Sequence, residues 1–180
     1  AAGDIYIGTG CGLMRYNRQT DSFDIIPELV GIFVYDIKED TSGNLWLATY
    51  VCGVFRYDVS KKEWKNYVHN EKDEKSLSNN KVLSVFEDSR RNVWLTTQGR
   101  GICLFHPETE NFTRYDTGNG LPNDVVYQIA EDEDGVFWLT TNNTSQALPY
   151  LRRSLQIFEQ TNRANFRSGK SIYDGERVAE

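Results

Sequence analysis

Three tryptophans set the register of the whole chain. Trp46, Trp94 and Trp138 lie in the segments NLWLAT, NVWLTT and VFWLTT, spaced 48 and 44 residues apart. DIYIGT, from Asp4, is an earlier copy with Tyr6 in the tryptophan place, 40 residues before Trp46. Six residues before each tryptophan stands an aspartate preceded by glutamate: Glu39-Asp40, Glu87-Asp88 and Glu131-Asp132. Eleven residues before each aspartate stands a leucine, at Leu29, Leu77 and Leu121. Downstream, a glycine is followed by an aromatic four residues on and another seven further, as Gly12-Tyr16-Phe23, Gly53-Tyr57-Trp64 and Gly101-Phe105-Phe112, with Ala147-Leu151-Phe158 a weakened copy. A chain with such a period folds as copies of one supersecondary unit, because no single copy can bury its apolar face alone.

Within the unit the apolar period is two, which is the period of a strand. Strand A reads as 34–39, 82–87 and 126–131, where Val34, Val82 and Val126 match and Ile37, Val85 and Ile129 match. Strand B is the tryptophan segment. It is apolar on both sides, as expected of a strand packed between two neighbouring sheets. Thr41-Ser42-Gly43, Ser89-Arg90-Arg91 and Glu133-Asp134-Gly135 read as the tight turns between A and B. Strand C begins at the repeated glycine and strand D carries the last aromatic. The 13% aromatic content and 14 glycines suit strands and turns in this pattern.

The fold expected is all-β, made of β-propeller blades of four antiparallel strands. About four blades are present, as part of a larger propeller. Residues 1–158 carry the repeats, with strand A of successive blades near 34, 82 and 126, and 159–180 read as the start of a further blade. The chain opens and closes inside blades, and any signal peptide is expected upstream. Closure as a four-blade ring and an open arc both remain open, the arc or a fragment of a larger ring being favoured.

The net charge of −6, with lysine and arginine scattered, argues against a nucleic-acid partner. The longest apolar stretch, 29–35, is too short to cross a bilayer. Cys11, Cys52 and Cys103 lack zinc spacing and read as small buried hydrophobes. His69 and His106 fall in different parts of their blades, so no metal and no cofactor is expected. The Glu-Asp pairs recur before every turn, where aspartate accepts backbone hydrogen bonds, so they read as structure and not as an acid/base pair.

The pattern L-P-N-x-V-x-x-I-x-E-D-x-x-G-x-x-W-L-x-T, clearest in 121–141 and again in 77–97, resembles the two-component regulator propeller repeat. The resemblance covers roughly 4–158. Ala147 in place of glycine and Pro149 in strand C depart from it. It implies the periplasmic sensor region of a Bacteroidetes hybrid two-component receptor, held at the inner membrane. It also implies an oligosaccharide ligand, the remainder of the receptor chain as a partner, a homodimer in the intact receptor, and no enzymatic activity in these blades. A propeller enzyme acting on a polysaccharide and a passive protein-interaction scaffold are the alternatives.

In an up-and-down blade the D-to-A and B-to-C loops share one face. The ligand-binding candidates in the B-to-C loops are Tyr50, Gln98, Arg100, Asn142 and Asn143, supplemented by Asn79, Asn119 and Asn123 in the D-to-A loops. Amides, a guanidinium and an aromatic ring together suit the hydroxyls and apolar faces of a sugar. The charged segment 69–80 reads as a flexible surface insertion.

Overall fold

A computed structural model describes residues 4–142, and these form successive antiparallel sheets. Blade 1 comprises β1 (Tyr6–Thr9), β2 (Gly12–Asn17) and β3 (Ser22–Ile25). Blade 2 is β4 (Val34–Glu39), β5 (Leu45–Thr49), β6 (Val54–Asp58) and β7 (Glu63–Tyr67). Blade 3 is β8 (Val82–Glu87), β9 (Val93–Thr97), β10 (Ile102–His106) and β11 (Asn111–Tyr115). β12 (Val126–Glu131) and β13 (Phe137–Thr141) begin blade 4. Strand order follows chain order in every sheet, and β4, β8 and β12 pack side by side as the innermost strands. Strands A lie at 34–39, 82–87 and 126–131, as the repeat predicts. Ala147-Leu151-Phe158 and the further blade read at 159–180 lie outside the described residues.

The A-to-B turn shows why aspartate stands six residues before tryptophan. Asp88 Oδ1 accepts from the backbone N–H of Arg90 and Asn92, while Oδ2 accepts from the Asn92 amide and, at 2.9 Å, from the Trp94 indole. Asp40 repeats this with Ser42, Asn44 and Trp46, and Asp132 with Asp134, Val136 and Trp138. One carboxylate thus closes the turn and satisfies the indole N–H, which a ring buried in an apolar seam needs. The third turn residue is left-handed at Gly43, Arg91 and Gly135.

The preceding glutamate reaches a different blade. Glu87 accepts from the backbone N–H and hydroxyl of Thr41 in blade 2's turn, and Glu131 does the same with Ser89 in blade 3's turn. Blades 3 and 4 are thereby each clipped to the one before.

The core lies in the seams between blades. Trp46, Tyr67, Phe105 and Phe112 belong to the cluster joining blades 2 and 3, and Trp94, Tyr115 and Phe137 to the next. All five residues of β9 are buried, as expected for strand B. β13 departs from that expectation: it lies at the end of the described array, and Trp138 is 40% exposed.

Two other expectations are corrected. Cys103 is fully buried, but Cys11 is exposed and Cys52 only half-buried, because both occupy B-to-C loop positions equivalent to Arg100. The 69–80 segment is anchored to β11. Leu77 is buried, the Phe112 N–H donates to the Lys75 carbonyl, and Arg114 donates to the carbonyls of Asp73, Ser76 and Leu77.

Candidate functional site

The B-to-C and D-to-A loops form one rim, and the backbone itself stitches it. The final threonine of strand B closes each B-to-C loop: Thr9, Thr49 and Thr97 hydroxyls donate to the carbonyls of Gly12, Gly53 and Gly101. Gly53 and Gly101 are required. They adopt φ of 76° and 67°, and a Cβ would sit 2.1 and 1.8 Å from the Tyr67 and Tyr115 carbonyl oxygens. Loops of adjoining units are tied by Gly53 N–H to the Asn80 carbonyl and by Gly99 and Gly101 N–H to the Asp124 carbonyl.

Tyr50 lies in an exposed aromatic group. Its ring is 6.1 Å from Phe33 and 5.7 Å from Tyr35, and Phe33 and Tyr35 are 5.1 Å apart. These three rings are 38%, 47% and 48% exposed for Tyr50, Phe33 and Tyr35. The Lys81 ammonium, from the next blade, lies 5.2 Å from the Tyr50 centroid, within cation–π range.

Lys81 also connects Tyr50 to the next candidate, since its carbonyl accepts from the Gln98 N–H. Gln98 bridges in turn to Val125, whose carbonyl accepts from the Asn142 N–H. Tyr50, Gln98 and Asn142 therefore stand at equivalent points along one rim, and all three are exposed. Arg100, in the Gln98 loop, is steered by His69. The His69 Nδ1–H donates to the Leu77 carbonyl at 2.8 Å, leaving Nε2 to accept from Arg100 Nη1 at 3.3 Å. Asn143 lies outside the described residues.

The D-to-A amides hold their own loops. Asn79 accepts from the Lys81 N–H and donates to the Gln98 carbonyl, Asn123 accepts from the Val125 N–H, and Asn119 accepts from the Asp116 N–H and donates to the Arg114 carbonyl. Phe33, Tyr35, Lys81 and His69 are rim residues that the loop-based reading missed. Phe33 and Tyr35 flank Val34, the first residue of the A strand, and alternation about that buried valine was the available signal. The rim thus offers aromatic faces beside the Lys81 ammonium, suited to stacking on a ring while hydrogen-bonding its oxygens.

Comparison with known proteins follows the same register. A family model described as two component regulator propeller matches residues 28–51, 76–99 and 120–143. A protein named histidine kinase P4 from Formosa agariphila is 35% identical over 94 residues, which is 48% of this chain and 7% of that relative. Among solved structures, the extracellular domain of a hybrid two component system from B. thetaiotaomicron aligns with TM-score 0.64 and 23% identity, over 77% of this chain and 20% of that one. The extracellular domain of a one component system from the same organism gives TM-score 0.60 and 25% identity, over 77% and 19%. Virginiamycin B lyase from Staphylococcus aureus shares the fold with TM-score 0.57 at 15% identity, over 78% and 46%. The chain spans a small part of the signalling relatives it matches.

Proposed function

We propose, from the three segments that match the two component regulator propeller model, that this chain is the ligand-sensing propeller part of a hybrid two-component receptor, placed in the periplasm and reading an oligosaccharide. The observation that carries the sugar reading is the exposed group of Phe33, Tyr35 and Tyr50 beside Lys81. Pyranose rings present an apolar face to aromatic rings and hydroxyls to cations and amides. The remaining receptor chain and a second receptor copy are the partners to which occupancy would be passed. The repeated carboxylates support sensing over hydrolysis, because Asp40, Asp88 and Asp132 accept from their own turns, and Glu87 and Glu131 from a neighbouring blade.

Calorimetry of the chain against a panel of glycan fragments tests this reading. Heat with at least one fragment, weakened roughly tenfold by Tyr50→Ala, is the expected result. Silence across the panel sinks the proposal, and release of shorter products would move the protein to the enzyme class.

A further inference from the structure

The seam between blades 2 and 3 is closed by four rings. Trp46 and Tyr67 meet Phe105 and Phe112 with centroids 5.0 to 5.7 Å apart across the seam. In the repeat register the same four positions between blades 1 and 2 are Tyr6, Ile26, Tyr57 and Trp64. Tyrosine there replaces the tryptophan and isoleucine replaces the first tyrosine. Tyr57 and Trp64 stand where Phe105 and Phe112 do, and among the described residues a cleft of about 570 Å³ is lined by all four.

Blades 1 and 2 are not loosely packed throughout. Near the innermost strands they approach so closely that a Cβ on Gly8 would lie 2.7 Å from Val34 Cγ1. The gap is therefore a wedge, tight at Gly8 and open toward the A-to-B turn of blade 2, where Glu39, Gly43 and Leu45 line it. Its aromatic wall is Tyr57 against Trp64, with centroids 5.0 Å apart. Its polar lining includes Arg15, opposite Tyr6 across β1 and β2, together with Glu28, Glu39, Glu63 and Lys62.

We infer that this cleft is a second saccharide site, taking one or two residues of a neutral sugar. The volume falls in the range of small-ligand sites, and the indole and phenol faces suit the apolar side of a pyranose. Carboxylates accept from sugar hydroxyls while Arg15 and Lys62 donate to them. Glu28 and Glu63 balance Arg15 and Lys62, so the lining carries no excess positive charge to hold uronate or sulfated sugars. This inference deepens the oligosaccharide reading above and rests on it.

The test uses the 180-residue chain, labelled at its tryptophan indoles with ¹⁵N, and the Trp64 resonance assigned with Trp64→Phe. Cellobiose, xylobiose, mannobiose and laminaribiose are titrated beside digalacturonate. The expected result is a saturable shift of the Trp64 indole N–H with at least one neutral disaccharide and none with digalacturonate. Ile26→Tyr, which restores the ring found at the closed seam, should weaken that binding at least tenfold, whereas Glu108→Ala, on an exposed turn of blade 3, should leave it unchanged. If Ile26→Tyr fails to fold, Arg15→Ala provides the same comparison. Binding that responds to Tyr50→Ala but leaves the Trp64 resonance still would overturn the cleft while retaining the sensing proposal. A Trp64 response to digalacturonate alone would overturn the neutral-sugar assignment. No binding of any of the five sugars would overturn the cleft, with the full glycan panel deciding the wider reading.

Discussion

At the scale of single residues, the aspartate before each A-to-B turn is the most heavily used side chain in the fold. Asp88 is buried and accepts from two backbone N–H groups, one amide and one indole. Asp88→Ala leaves those donors unpaired and should cost about 3 kcal/mol, read as a lower urea midpoint with an unchanged slope. Gly101→Ala should be comparably damaging, roughly 3 kcal/mol, because it combines a left-handed φ with collision against a backbone carbonyl.

Acid should also weaken the fold. Bonds from the Trp138 indole, and then from the Val136 N–H, hold Asp132 below the ordinary carboxylate value, and the Ser60 hydroxyl and Lys61 N–H bring Asp58 down to about 2. Folded values below the unfolded 3.8 mean that this stability is present above about pH 4 and lost as pH falls toward 2. Melting temperatures across pH 5 to 2 check the sign; a flat profile would contradict it. The Asp-to-Trp bond was foreshadowed by the constant six-residue spacing, since a side chain repeated before every turn has a local partner. The glutamate beside it was not decipherable in the same way, because the partner of Glu87 is Thr41, 46 positions away.

Among elements, strand boundaries were the most readable feature, since apolar alternation and turn residues agree at every repeat. What the alternation did not reveal was the third dimension of each seam. Phe33 and Tyr35 emerge on the rim only when β4 is placed innermost, and the cleft between blades 1 and 2 appears only when Ile26 and Tyr6 are set against Tyr57 and Trp64. Cys52 illustrates the limit of composition: cysteine is commonly buried, but a loop position overrides that tendency. The closed seam has a direct energetic test. Phe112→Ala removes one of four packed rings and should cost about 3 to 4 kcal/mol, while Glu87→Ala, which cuts a more exposed clip, should cost about 1 kcal/mol. Equal losses from the two variants would show that ring packing does not dominate between blades.

For the whole molecule, a core divided among seams makes stability a nearest-neighbour property. Blade 3 is packed against blades 2 and 4 through two ring clusters, whereas the seam of blade 1 contains the wedge. Native-state hydrogen exchange should therefore be slowest in β8–β10 and measurably faster in β1 and β2. Indistinguishable protection in blades 1 and 3 would refute this gradient.

The glutamate clip runs in one direction, from β8 and from β12 back to the turn of the preceding unit. Blade 3 therefore holds one half of each of two identical joints: the hook it casts backward from Glu87 and the eye it holds out at Ser89. A stretch of gene duplicated in tandem would carry both halves with it, so a propeller of this kind can change its number of blades without inventing a new way to join them.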